Sequence, residues 1–293
     1  MKTQTALKTI SLILTAIPLT FGSIGCATNA ATGRLQFDSM SRDREIALGT
    51  EALPQLTQEY GGEVNDPVLR EYVTKVGMKL AQYTEADNPD LPWKFTLLDS
   101  DVINAFALPG GKVFITRALL DRMSNEAQLA GVLGHEIGHV TAQHTDDRIG
   151  QSYLVTFGAA LTGVATKDSD NAWTQKVMPL VIGVGGQGYL LHFSRGQEEE
   201  ADYLGMRYMR RAGYNPAAQM QVMKILQQSQ KESGGGMGLE FFSTHPYPET
   251  RIKNIKKWLA TDFKRTQNNS QYGFHEEPFQ KIARPRLDTL DKK

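Results

Sequence analysis

Cysteine is nearly absent: Cys26 is the only one in 293 residues, so no disulfide can form within the chain. Net charge is absent too, with 32 Lys and Arg against 32 Asp and Glu, which removes the bulk basic bias of a nucleic-acid binder. Long apolar runs are also missing. The stretches 10–24, 153–165 and 177–191 are each short of the roughly 20 residues that a membrane-spanning helix needs. What remains is a chain with 40% hydrophobic residues, enough to bury one sizeable core, organised as one large domain or two small ones.

The N-terminus differs from the rest. Lys2 and Lys8 precede the apolar run, which Pro18 interrupts, and residues 1–25 read as a signal peptide. Its end, Ser23-Ile24-Gly25-Cys26, resembles the lipobox of bacterial lipoproteins, with Ser23 where leucine is usual. On that resemblance Cys26 is acylated and residues 26–40 form a lipid-attached tether. Ala27, in place of an aspartate, implies sorting to the outer membrane, facing the bacterial periplasm. Ordinary cleaved secretion is one alternative and an uncleaved anchor another, the latter disfavoured by the interrupted, short apolar run.

The centre of the chain is residues 124–145, SNEAQLAGVLGHEIGHVTAQHT. Leu129, Val132, Leu133, Ile137 and Val140 recur at helical spacing, and Asn125 followed by Gln128 makes a plausible start. His135 and His139 are four apart and share a face, so both imidazoles can reach one metal ion, and Glu136 sits beside it as a base for a water molecule. Gly131, Gly134 and Gly138 form a stripe without side chains, which predicts another backbone packed against it. A metal-free amphipathic helix carrying the same residues is the competing interpretation, so a third ligand is required.

Residues 41–60 and 67–83 read as scaffold helices, the second begun by Asn65-Asp66-Pro67. Residues 93–98 (WKFTLL) have strand character, and 105–108 with 113–116 read as a hairpin about Pro109-Gly110-Gly111. The predicted fold is therefore mainly α with a small β-sheet, built around the central helix. A peptidase can hold substrate as an added strand, and Asn104, Ala105 and Phe106 begin the candidate edge; an ordinary core hairpin fits as well. The two apolar segments 153–165 and 177–191 read as buried helices, with a membrane-facing hairpin as the alternative.

Glu198 and Asp202 lie four apart at the start of another helix. That spacing suits a direct zinc ligand and a carboxylate that orients a ligand histidine through its other ring N–H. Two His and one Glu leave a fourth position open for water, the catalytic arrangement of zinc. Glu199 and Glu200 read as partners of the helix dipole, with Arg207, Arg210 and Arg211 at its other end.

LGHEIGHVTAQH together with FSRGQEEEADYLG resembles the HtpX and CAAX-prenyl-protease family of gluzincin metallopeptidases, whose pattern is HExxH followed by ExxxD. The likeness extends more loosely over residues 40–260, including NAFALPGGKVFITRALL and THPYPETR. It implies one Zn2+ per chain held by His135, His139 and Glu198, with Glu136 as base and Asp202 behind a ligand. The chain lacks the full spans of the integral-membrane members and is similar instead to periplasmic lipoprotein peptidases. That implies a zinc endopeptidase acting on unfolded or misassembled envelope proteins, partnered by the outer-membrane assembly machinery, with a metallopeptidase domain over 41–265. The rival is a chaperone-like binding factor with a latent zinc site.

Residues 233–238 (SGGGMG) read as a flexible loop or lid, followed by His245-Pro-Tyr-Pro. His245 is expected either to polarise the peptide carbonyl or to occupy the open metal position; capping a helix is the plainer alternative. Arg251 is a candidate substrate contact or an ordinary surface cation. Residues 266–293 read as a polar, extended tail without chemistry, and His144, His192 and His275 as structural.

Overall fold

The structure, a computed structural model, describes residues 26–37, 40–85, 88–149, 192–232 and 240–290. The expected signal peptide, the apolar segments 153–165 and 177–191, and the loop 233–238 lie outside them.

The first described element is a small antiparallel hairpin, β1 (Cys26–Thr28) and β2 (Leu35–Phe37). Helices α1 (Arg42–Glu59) and α2 (Pro67–Ala81) follow, with Asp66 accepting from the amide of Leu69 to start the second. Next come β3 (Lys94–Leu98), β4 (Ala105–Leu108) and β5 (Lys112–Thr116). They form one sheet in the order β3-β5-β4, parallel between β3 and β5 and antiparallel between β5 and β4.

Both faces of this sheet are covered, which is why its strands read as continuous apolar runs rather than as alternating ones. Phe95, Leu97, Ala105, Ala107, Val113 and Ile115 enter the main core with α2. Their neighbours Leu98, Phe106, Leu108 and Phe114 join Leu48, Ala52 and Leu56 of α1 in a second cluster. Phe106 and Phe114, paired across the strands, stack at 4.6 Å.

After the short α3 (Arg117–Asp121), the central helix α4 spans Glu126–Thr141. As expected, the side chain of Asn125 caps it by accepting from the amide of Gln128 at 3.0 Å. Further along come α5 (Arg195–Arg211), α6 (Ala217–Glu232), the single turn α7 (Phe241–Thr244) and α8 (Pro248–Ala260). Among the described residues no helix is long and apolar enough to cross a membrane.

Two expectations fail. The tether of 26–40 is no free linker: its hairpin packs on the C-terminal end of α4, where Asn29 Nδ2 and Gln36 Nε2 donate to the carbonyls of Thr141 and Ala142 at 2.9 and 2.7 Å. These are carbonyls that a helix end leaves without an internal partner. The polar tail of 266–293 is likewise folded to residue 290. Glu276–Pro278 (α9) continues through a π-helical turn, Phe279–Ala283, into α10 (Arg284–Leu290). Phe279, Ala283 and Leu287, four apart, are buried in the main core. Ile282 and Leu290 pack beside them, and Arg284 donates to the carbonyls of Asp121 and Met123 at 2.7 and 2.6 Å, so the segment is docked by both apolar and polar contacts.

Candidate metal centre

The site is built where α4 meets α5. A Cβ on Gly134 would lie 3.2 Å from the carbonyl oxygen of Gly205, one on Gly138 2.8 Å from that of Ala201, and one on Gly205 2.8 Å from the carbonyl carbon of Gly134. The two backbones therefore touch directly at Gly134 and Gly138, as expected of the stripe, whereas Gly131 meets the side chains of Gln219 and Val222 on α6. Helix α5 begins with a reciprocal capping box between Ser194 and Gln197, which fixes its first turn and with it Glu198.

His135, His139, Glu198 and His245 each offer one ligand atom, and these atoms lie within 4.8 Å of one another. His135 Nε2 is 3.1 Å from His139 Nε2, 3.3 Å from His245 Nδ1 and 3.5 Å from Glu198 Oε2. Glu198 Oε1 is 3.4 Å from His139 Nε2 and 2.9 Å from His245 Nδ1. Ligand atoms placed 2.0–2.1 Å from a tetrahedral ion sit about 3.3 Å apart, so these spacings fit a zinc-sized ion. Glu136, Glu198 and Asp202 bring three carboxyl groups into the interior beside the Arg251 guanidinium, an acid-rich surrounding that suits a cation.

Burial and neighbouring charges act differently on His139, Glu198 and Glu136. Burial drives the His139 imidazole well below its ordinary range, so it is neutral and able to ligate. Burial also works to raise Glu198, but His245 and Arg251 outweigh it and hold the carboxyl well below its usual range. Glu136 is pushed upward by burial, only partly offset by His245 and His135, and both its oxygens are buried without a hydrogen-bond partner. A carboxylate so placed is poised to take a proton.

Asp202 stands where the i, i+4 spacing puts it, with Oδ1 2.9 Å from Nδ1 of His135. Arg251 grips the same carboxylate through Nε and Nη2, both at 2.7 Å, and its Nη1 is 2.8 Å from Glu198 Oε2. Burial opposes the Asp202 anion, yet Arg251 and His135 bring its pKa down to about 2. Arg251 is 1% exposed. The structure thus corrects the surface-cation alternative: Arg251 lies behind the ligands, paired with the carboxylates of Asp202 and Glu198.

His245 is fully buried, stacked on Phe241 at 4.5 Å, with Nε2 3.6 Å from Glu136 Oε1. Burial disfavours its charged form, but Glu198 and Glu136 outweigh that and raise it. Two residues on, Tyr247 sits in the left-handed region at φ 67°, an uncommon conformation for a residue with a side chain, and turns the chain from His245 into α8.

At the candidate edge, β4 has β5 as its neighbour, and the Asn104 carbonyl accepts from Thr116 N. The Asn104 side chain is bound to Tyr60 and Glu240, and Phe106 is core. Ala105 faces the main core.

Two residues carry more than their sequence context suggests. His144 is buried, 2.9 Å from His139 Nδ1 and 3.0 Å from Glu200, so Glu200 does more than complement a helix dipole. By contrast, His192 is exposed and His275 packs on Tyr214.

Comparison with known proteins agrees with this geometry. The chain is 33% identical over 223 residues to the beta-barrel assembly-enhancing protease of Escherichia coli (strain K12), covering 74% of this chain and 44% of that protein. It is 32% identical over 233 residues to the mitochondrial metalloendopeptidase OMA1 of Schizosaccharomyces pombe, covering 78% of this chain and 65% of that one. The OMA1 of Saccharomyces cerevisiae is 30% identical over 240 residues, with coverage of 77% and 67%. The chain thus spans less than half the length of the bacterial relative. Residues 67–259, which carry every ligand and carboxylate of the site, match peptidase family M48, and the chain belongs to that family.

Proposed function

We propose that the chain is a zinc-dependent endopeptidase, with His135, His139 and Glu198 as the ligands and Glu136 as the general base. The observation that carries this reading is the tetrahedral spacing of buried ligand atoms beside a buried carboxylate without a hydrogen-bond partner. Zinc, when bound, supplies Lewis acidity toward a water and the scissile carbonyl. Glu136 accepts the proton of the attacking water on a carboxylate oxygen and delivers it to the departing amide nitrogen, so that one C–N bond breaks as one C–O bond forms. Asp202 accepts from Nδ1–H of His135 and fixes which ring nitrogen faces the ion. Arg251 keeps Asp202 and Glu198 ionised. An extended substrate strand is proposed to lie along β4, which among the described residues has β5 as its one sheet neighbour, with affinity from main-chain hydrogen bonds.

A second reading has a specific observation behind it. His245 Nδ1 completes a set of four protein ligands, the closed arrangement of a structural rather than an open catalytic zinc. His245 accordingly holds the site in a resting state and leaves when substrate enters. On this reading a His245→Ala variant keeps its zinc and cleaves faster; equal activity and zinc content in both proteins would sink it.

Substrates are proposed to be unfolded or misassembled envelope proteins, and the outer-membrane assembly machinery a partner. The support is the bacterial relative's description as enhancing β-barrel assembly, together with the lipobox-like sequence at Cys26. Acylation of Cys26 would place the enzyme on the periplasmic face of the outer membrane.

The test is zinc content and casein cleavage in wild type and Glu136→Gln. Near-stoichiometric zinc in both with cleavage in wild type alone is expected. Zinc in both with cleavage in neither would favour a chaperone-like factor with a latent site. A folded protein that binds no metal would overturn the reading.

A further inference from the structure

Nε2 of His139 faces the other ligands, which leaves Nδ1 on the opposite edge of the ring. Its hydrogen-bond partner is a second imidazole. His139 Nδ1 lies 2.9 Å from Nδ1 of His144, whose Nε2 lies 3.0 Å from Oε2 of Glu200. Glu200 is held in turn by Arg34 of the N-terminal hairpin, from Nε at 3.0 Å and Nη2 at 2.7 Å. The chain can be satisfied in one sense only. Arg34 donates to the Glu200 carboxylate, so Glu200 accepts from His144 Nε2–H, so His144 Nδ1 is the acceptor, so His139 Nδ1 carries the proton and Nε2 offers its lone pair.

From this geometry we infer that His144 is a positioning residue for the metal: it fixes the tautomer and ring angle of His139 by relaying the Glu200–Arg34 pair to it. The inference rests on His139 being a metal ligand.

The fold provides for this contact specifically. Helix α4 ends at Thr141, and Gln143 then takes φ 56°, a left-handed position usually given to glycine after a helix end. The turn folds His144 back beneath its own helix, where it is fully buried. Asn29 Nδ2 holds the side chain of Gln143 at 3.2 Å, and Gln143 Nε2 donates to Glu45 at 3.1 Å, so the strained turn is braced on both sides. Phe193 stacks on the His139 ring at 3.8 Å and closes its remaining face.

The experiment uses the full chain in the Glu136→Gln background, which removes self-cleavage, and reads zinc affinity by competition with a chromophoric chelator. His144→Phe keeps the ring volume and removes both nitrogens; about 10- to 100-fold weaker zinc binding is expected, the usual range for losing a hydrogen-bond partner of a ligand. His144→Asn retains an acceptor toward His139 and should recover most of that loss. Glu200→Met, at the outer end, should weaken binding in the same direction and serves if His144→Phe does not fold. Long-range 1H–15N spectra of the zinc-loaded parent should show His144 protonated on Nε2 and His139 on Nδ1. Affinities of His144→Phe and Glu200→Met within twofold of the parent, or His144 protonated on Nδ1, would overturn the inference while leaving the zinc reading intact. A folded parent that binds no zinc would overturn both.

Discussion

The two ligand histidines are backed by the same chemistry in two different media. Behind His135 stands Asp202, gripped by Arg251, all with side chains no more than 1% exposed. Behind His139 the carboxylate–arginine pair stands one residue further out, with Glu200 and Arg34 at 21% and 46% exposure and a neutral imidazole between. A charge pair in the interior interacts several times more strongly than the same pair at the surface, and it cannot be rescued by water when one partner is removed. The inner pair is thus an obligatory part of the fold, and the outer pair is a support that can be loosened without unfolding anything.

The strongest way to break this contrast is at the inner pair. Arg251→Met leaves Asp202 and Glu198 buried without their cation and should cost about 3–5 kcal/mol in urea unfolding of the metal-free protein. A loss under 1 kcal/mol would show that the interior is wetter than its burial implies. Next in size is the helix contact that holds both histidines. Gly205→Ala places a methyl 2.8 Å from backbone atoms of Gly134 and His135, with no side chain to move aside. Overpacking of this kind costs about 1–3 kcal/mol, read as a lowered melting temperature. At the outer pair, Arg34→Met should cost less than about 1 kcal/mol, and 1 M salt should erase most of the difference while leaving the Arg251→Met loss in place.

Acid sharpens the comparison further. Both carboxyls have folded pKa values below their ordinary ones, so each contributes stability that is complete above the ordinary value and is lost as pH falls through the folded one. For Asp202, whose ordinary value is 3.8 and folded value about 2, the advantage over Asp202→Asn should persist below pH 4 and fade toward pH 2. For Glu200, lowered from 4.5, the advantage over Glu200→Gln should begin to fade as pH drops below that value. Unfolding curves of the metal-free variants between pH 2 and 6 would show which pair fails first.

What could be read in the sequence was what depends on near neighbours. His135, Glu136 and His139 share a helix, Glu198 and Asp202 share another, and a stripe of glycines announces that two such helices touch. The partners of those residues are a different matter. Glu200 lies 56 positions from His144 and 166 from Arg34, and no periodicity links them. The N-terminal hairpin escaped because strands of three residues carry no pattern. The C-terminal helices did carry a signal, Phe279, Ala283 and Leu287 at spacing of four, which the surrounding charge concealed. His144 also left a trace, as a histidine beyond a helix end whose reversal depends on Gln143. Nothing in a glutamine advertises a left-handed turn.

The glycine contact between α4 and α5 has a consequence for how such a site can change. Side-chain interfaces have rotamers to exchange, so a methyl gained here and lost there can stretch or relax a joint by tenths of an ångström. A seam of bare backbone offers no such adjustment, and the distance between the histidine pair and Glu198 works as a fixed gauge. Variation in metal grip, whether by selection or by design, has to enter through the hydrogen bonds behind the imidazoles, because the frame that spaces them has nothing left to trim.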